Sequence, residues 1–293
     1  MTRPHNFNNI ADAGSRVGRI IGGKRLVRHL NRHALADRYL GHDLRRGVDC
    51  LVYLFDGTEA TAGEQTWEAL RSIVGPRRAH ALRVDEIGRE AGGVCWVASP
   101  YPGNHEALIT LETLRRNKGG VLSQMESTRA IEQLLDASIA AHDDGACHGA
   151  IAADEVVIDP RGSLFIELYG LRRRLAEPAG TEDARQDEIR SIAALAWTLL
   201  TGIDAGERDI FASQAARSID RRWLQWIERG LDPIMGFEGA REAVAALPGN
   251  GPVGVEIPAG GARALLGRLS LAVAQRKETA GRWSRKNQGP GGV

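Results

Sequence analysis

The sequence predicts an α+β fold in two parts, a β-rich first hundred residues followed by a helical second half. Three observations carry this expectation. Between Arg25 and Phe55, short apolar or alternating runs are broken by turn residues, which is how antiparallel strands read. From residue 127 to residue 247, apolar residues recur at intervals of three and four, as in helices with one buried face. At Pro100-Tyr101-Pro102-Gly103 the two regimes meet, and the prolines stop either from running on.

Taken in order, residues 1–21 are polar and mixed and predict an N-terminal arm, either flexible or a lead-in helix. Three strands follow, at Arg25–Leu30, Asp37–Asp43 and Asp49–Phe55, with Arg45-Arg46-Gly47 as the turn between the last two. Trp67, Leu70, Ile73 and Val74 predict a helix over 63–74, and a strand pair is expected around 81–98 with Gly92-Gly93 as its turn. In the second half, Ile131, Leu134, Leu135 and Ile139 mark a helix over 127–143. Ile189, Ile192, Leu195, Leu199 and Leu200 mark another over 188–201, ending at Gly202. Trp223, Trp226, Ile227 and Leu231 line a third, and residues 238–247 form a fourth.

Beyond Pro248 the composition changes. Residues 249–261 are rich in glycine and proline and read as a linker. They lead to a helix candidate over 262–276 with Leu265, Leu266, Leu269, Leu271 and Val273, then to a basic, glycine-rich end expected to be disordered.

Composition narrows the function. Hydrophobic residues are 43% and charged residues 26%, the balance of a globular protein, and a net charge of +1 gives no pull toward nucleic acid or membrane. The basic clusters Arg77-Arg78, Arg115-Arg116 and Arg172-Arg173-Arg174 have no aromatic residues interleaved, so a solvated face is the plain reading of each. Cys50, Cys95 and Cys147 lie far apart, without a C-x-x-C pair, and read as reduced core residues. With no apolar leader and no run of roughly 18–20 apolar residues, a cytoplasmic location is expected.

The stretch His148-Gly149-Ala150-Ile151-Ala152-Ala153-Asp154-Glu155, followed by Val156-Val157-Ile158 and the turn Asp159-Pro160-Arg161-Gly162, resembles the catalytic loop of protein kinases, H-R-D-x-K-x-x-N and an apolar strand. Further segments fall in the same order. Gly23–Leu30 resembles the first strand, with the positions of the G-x-G-x-x-G loop on Asn31, His33 and Ala36. Asp49–Phe55 resembles the V-A-x-K strand, and Val97–Gly103 the hinge. Glu167-Leu168-Tyr169-Gly170 resembles the D-F-G turn, and Asp187–Ala193 with Leu199–Gly202 a later helix. Over about residues 22–247 the chain is therefore similar to the bacterial Ser/Thr (Hanks-type) protein-kinase family, as a degenerate member.

The resemblance implies a two-lobed kinase-like fold, with the N-lobe over 22–102 and the C-lobe over 103–248. In that frame Tyr53 stands for the ATP-binding Lys, Ala150 for the catalytic Asp, Glu155 for the metal-binding Asn and Leu168 for the magnesium-binding Asp. Those four groups act together on the transferring phosphate. Their joint replacement implies a pseudokinase without catalytic residues, cofactor or bound metal. Such a protein serves as a scaffold, an allosteric regulator or a subunit of a larger assembly with protein partners. An enzyme using the fold for non-canonical nucleotide or phosphoryl chemistry is the alternative. Glu68 is the relic candidate for the carboxylate that pairs the missing Lys, with an exposed helix charge as its plain reading. Glu155 and Glu167 are carboxylates able in principle to share a divalent cation, although strand alternation should aim Glu167 away from Leu168. The segment Leu171–Gln186 reads as a short polar loop, with Ala176-Glu177-Pro178 imitating A-P-E. Candidate partner surfaces are Arg172, Arg173 and Arg174, and the stripe Leu265, Leu266 and Leu269.

Overall fold

In a computed structural model the described residues are 16–55, 60–90, 93–104, 107–176, 181–205 and 214–249. The expected linker beyond 249 and the stripe of Leu265, Leu266 and Leu269 lie outside them.

The first part is a six-stranded antiparallel sheet: β1 (Ile20–Ile21), β2 (Lys24–Arg32), β3 (Asp37–Asp43), β4 (Val48–Phe55), β5 (Glu86–Arg89) and β6 (Cys95–Pro100), in the order β1-β2-β3-β4-β6-β5. Pairing begins at Ile20, opposite Arg25, so the sheet claims the end of the expected arm. The continuous apolar run of β4 has a simple cause, since both of its faces are covered. Leu51, Tyr53 and Phe55 pack with Ala69 and Leu70 of helix α1 (Ala60–Arg71) and with Ile73 just past its end. Cys50, Val52 and Leu54 pack with Ile21, Leu26, Tyr39 and Trp96 on the other side. Gly22 and Gly88 let Trp96 lie against the backbone, because a Cβ on either would fall 2.0 or 2.3 Å from the indole.

The second part is helical around a small sheet of β7 (Ile109–Thr110), β8 (Val156–Ile158) and β9 (Leu164–Ile166). Its helices are α2 (Leu111–Asn117), α3 (Gln124–Asp143), α4 (Leu171–Leu175), α5 (Thr181–Thr201), α6 (Arg221–Leu231) and α7 (Ala240–Ala245). Helix α3 starts earlier than the apolar spacing predicts, because Ser123 and Glu126 form a capping box: each side chain bonds the other's backbone N–H. Leu134, Leu135, Ile192, Trp197, Leu199, Trp223 and Trp226 meet in one core, the helical core the apolar spacing calls for. Gly230 sets the closeness of α5 and α6, since a Cβ there would come within 2.5 Å of the Ala193 Cβ.

Two corrections apply to the expected elements. The segment after Gly170 is not a polar loop throughout, because Leu171 is buried and α4 forms there, and α5 begins at Thr181. The connection after α1 adds no strand at 81–85. It runs along β9 instead, with Leu82 N donating to the Ile166 carbonyl (2.8 Å) and Ile166 N to the His80 carbonyl (2.8 Å). That seam joins the two parts behind the cleft between them. Among the described residues no helix is long and apolar enough to cross a membrane.

Candidate functional site

The cleft between the parts holds a buried polar network, built from both sides. From above, β3 supplies Arg38 and β4 supplies Tyr53, which are opposite one another in the strand register. Both are wholly buried, as is Glu167 just after β9. The Tyr53 hydroxyl donates to Glu167 Oε1 (2.5 Å), and Arg38 Nη2 lies 3.1 Å from Glu167 Oε2. The same Nη2 donates to the Asp154 carbonyl (3.1 Å), so a single guanidinium ties the sheet to the loop below. Its Nε and Nη1 find no hydrogen-bond partner, and the Glu167 Oε2 contact is an ion pair rather than an aligned hydrogen bond.

Beside it lies a second carboxylate, Glu155. It is held by the Arg172 guanidinium, by the Ala152 N–H (3.2 Å) and by His148 Nε2 at 3.7 Å. His148 Nδ1 accepts from the Gly170 N–H (3.1 Å), which leaves the ring proton on Nε2, facing Glu155. The β2–β3 hairpin closes the roof. His33 and Ala36 exchange backbone bonds, and His33 Nδ1 accepts from Leu35 N (3.1 Å). This turns the buried imidazole inward, 3.9 Å from Glu155 Oε1 and edge-on to Tyr53.

Burial and neighbours set the charges. Burial pushes the Glu167 carboxyl up to about 7, against the pull of Arg38 and the Tyr53 hydroxyl. Burial also acts on Glu155, but His148 and Arg172 outweigh it and hold the group down at about 2. Burial, with Arg38 next, lowers His33 to about 3, so that imidazole is neutral near pH 7. Burial, followed by the Glu167 charge, raises Tyr53 well above its ordinary range.

The loop itself is suspended from α5. Glu188 accepts from His148 N (2.6 Å), Ser138 Oγ (2.5 Å) and the Tyr169 hydroxyl (2.5 Å), and Ser191 Oγ accepts from Ile151 N (2.8 Å). Burial opposes ionisation of Glu188, yet His142, Ser138 and Tyr169 hold its carboxyl below the usual range.

Comparison with known proteins gives one clear answer and one blank. The solved kinase domain of Mycobacterium tuberculosis PknI superposes with a TM-score of 0.62 at 17% identity, over 79% of this chain and 97% of that one. A second structure of the PknI kinase domain superposes with a TM-score of 0.63 at 19% identity, over 79% of this chain and 96% of that one. The chain has a two-lobed protein-kinase fold. No protein-family model matches it.

In the kinase frame, Tyr53 and Glu155 lie in the buried network. Ala150 is exposed on the loop and carries no functional group. Leu168 does not face the network. It takes a left-handed backbone (φ 46°) and packs upward with Leu51, Leu70 and Leu171. Glu167 points the other way, as strand alternation leads one to expect, with its carboxylate in the cleft toward Tyr53. Glu155 and Glu167 each face an arginine instead, Arg172 for the first and Arg38 for the second. Among the described residues no group of three or more His, Cys, Asp and Glu is placed to hold a metal. Glu68 is an exposed helix charge beside Arg71 (3.6 Å). Arg172 pairs with the buried Glu155 while its own side chain stays 40% exposed. Arg38 and His33 were missed by sequence reasoning. The available signal was indirect: two acids, Glu155 and Glu167, beside apolar strands with no cation adjacent in sequence.

Proposed function

We propose that this chain is a pseudokinase, a kinase-shaped protein that transfers no phosphate and works by binding protein partners as a scaffold or allosteric regulator. What carries the reading is the occupied cleft. In a kinase, a Lys, an Asn and an Asp meet ATP and magnesium there, whereas here Arg38 pairs with Glu167, the Tyr53 hydroxyl bonds the same carboxylate, and Arg172 pairs with Glu155. Binding a nucleotide would require breaking those contacts and stranding buried charges, which costs several kcal/mol per ion. Ala150 offers no base for a substrate hydroxyl. Glu167, raised to about 7, has the acidity of a general base, but its complete burial leaves no path for a substrate and argues against the enzymatic alternative.

Calorimetric titration with ATP and magnesium tests this. No heat of binding at about millimolar ligand is expected, a range in which a weak site still registers by mass action. Saturable, magnesium-dependent binding would overturn it.

A further inference from the structure

The two lobes are joined in front, behind and between. In front, Arg38 and Tyr53 of the upper lobe both reach Glu167 of the lower one, and Arg38 also bonds the Asp154 carbonyl. Behind, the connection after α1 is bonded to β9 through Leu82 and His80, and the His80 ring sits against Phe165 with its Nδ1 2.9 Å from the Leu164 carbonyl. Between these ties lies apolar packing that ignores the lobe boundary. Leu51 and Leu70 from above and Val157, Leu168 and Leu171 from below belong to one buried cluster. Backbone strain marks the same joint. Among the described residues, His80 (φ 53°) and Leu168 (φ 46°) are the two apart from glycine with a left-handed backbone, one at the rear seam and the other in the shared cluster. Such conformations persist where the surrounding structure over-determines them.

We infer that the two lobes are locked closed as one rigid body with no ligand between them, so that the chain offers its partners a single fixed surface. The lock rests on the pseudokinase reading and makes the protein a scaffold rather than a switch. Hinge closure around a ligand is an ordinary motion of kinases, and there the ligand supplies the contacts that favour the closed state. Here the chain's own side chains supply them. Opening would uncover Leu51, Leu70, Leu168 and Leu171, all buried, at the usual cost of exposing apolar surface. The Arg38–Glu167 pair contributes register more than strength, because opening returns both ions to water. Removing one partner reverses that balance. The other charge is then buried and uncompensated in the closed form, and opening relieves it.

The test measures the distance between nitroxide labels on the full chain by double electron–electron resonance. Arg32→Cys and Ala150→Cys place the labels at exposed positions on either side of the cleft mouth, and Cys50, Cys95 and Cys147 are buried and stay unlabelled. The expected result is one narrow distance population, the same with and without about millimolar ATP and magnesium. Arg38→Met in this background should shift the balance toward open by about a hundredfold, the effect of stranding one ion of a buried pair, and add a longer population. Leu168→Gly withdraws a side chain from the joint and accepts the positive φ without strain, so it should add a longer population as well. Circular dichroism checks that each variant is folded. A broad or two-peaked distribution in the labelled chain would overturn the lock, as would distances unchanged in both Arg38→Met and Leu168→Gly. The two readings fail separately: opening without ATP binding overturns only the lock, whereas calorimetric binding of ATP at an unchanged distance overturns only the pseudokinase and leaves the lock standing.

Discussion

Arg38 and Glu167 face each other at 3.1 Å across the two lobes, both without solvent exposure, and the same arginine nitrogen reaches the Asp154 carbonyl. A pair like this contributes little by its own attraction, because desolvating both ions offsets it. Losing one partner is another matter. Arg38→Met should therefore lower stability by about 3–5 kcal/mol, leaving Glu167 buried without its cation. The double variant R38M/E167L should recover much of that loss. Urea denaturation of the four proteins in the cycle measures it, and strictly additive losses would show that the pair is not coupled.

The carboxylate of Glu188 collects bonds from Ser138, His148 and Tyr169. Glu188→Ala leaves those donors buried and unpaired, each at a cost of about 1–3 kcal/mol. The expected outcome is a cooperative loss of at least about 3 kcal/mol, or no folded protein. Glu188→Gln keeps an acceptor and should retain the fold with a smaller loss. Equal stability of Glu188→Ala and the wild type would mean the loop is held by its own turns.

The helical lobe rests on aromatic packing. Trp226 is buried, stacks edge-on with Trp223 at 5.6 Å and donates its indole N–H to the Ala243 carbonyl (2.9 Å). Trp226→Ala should cost about 3–5 kcal/mol, since it opens a cavity and strands a carbonyl. An unchanged denaturation midpoint would contradict that packing.

The fold was legible where burial is repetitive and local. Both faces of β4 are covered, so Cys50 to Phe55 read as a strand, and the i, i+3, i+4 spacing of α5 and α6 announced a shared core. Helix starts were less visible because caps, not apolar spacing, set them, as Ser123 and Glu126 do for α3. The network in the cleft was not legible, since Arg38 and Glu167 are far apart in sequence and meet only when the lobes close. Nor could sequence separate three adjacent arginines. Successive residues on α4 point about 100° apart, so Arg172 reaches Glu155, Arg173 lies by the Cys147 thiol and Arg174 is exposed.

Titration of the cleft gives the last prediction, and its sign follows from where the protons sit. Glu167 has a folded pKa of about 7 against an ordinary 4.5, so between those values only the folded protein holds the proton. Stability through this group therefore falls as pH rises from 4.5 to 7. His33 is lowered from 6.5 to about 3, so between those values only the unfolded chain is protonated there, and stability through it rises with pH. The two oppose each other between pH 4.5 and 6.5, while Glu155, held down at about 2, loses its contribution only below that window. Glu167→Gln should unmask His33 and lose more stability than the wild type on acidification from pH 6.5 to 5. His33→Asn, which keeps an acceptor for the Leu35 N–H, should do the reverse and gain relative to the wild type as pH falls from 7 to 5. Urea midpoints at pH 5, 6 and 7 for the three proteins decide it, the other carboxylates cancelling in the differences. Parallel pH profiles for all three would mean that neither group titrates in the folded cleft as its burial demands.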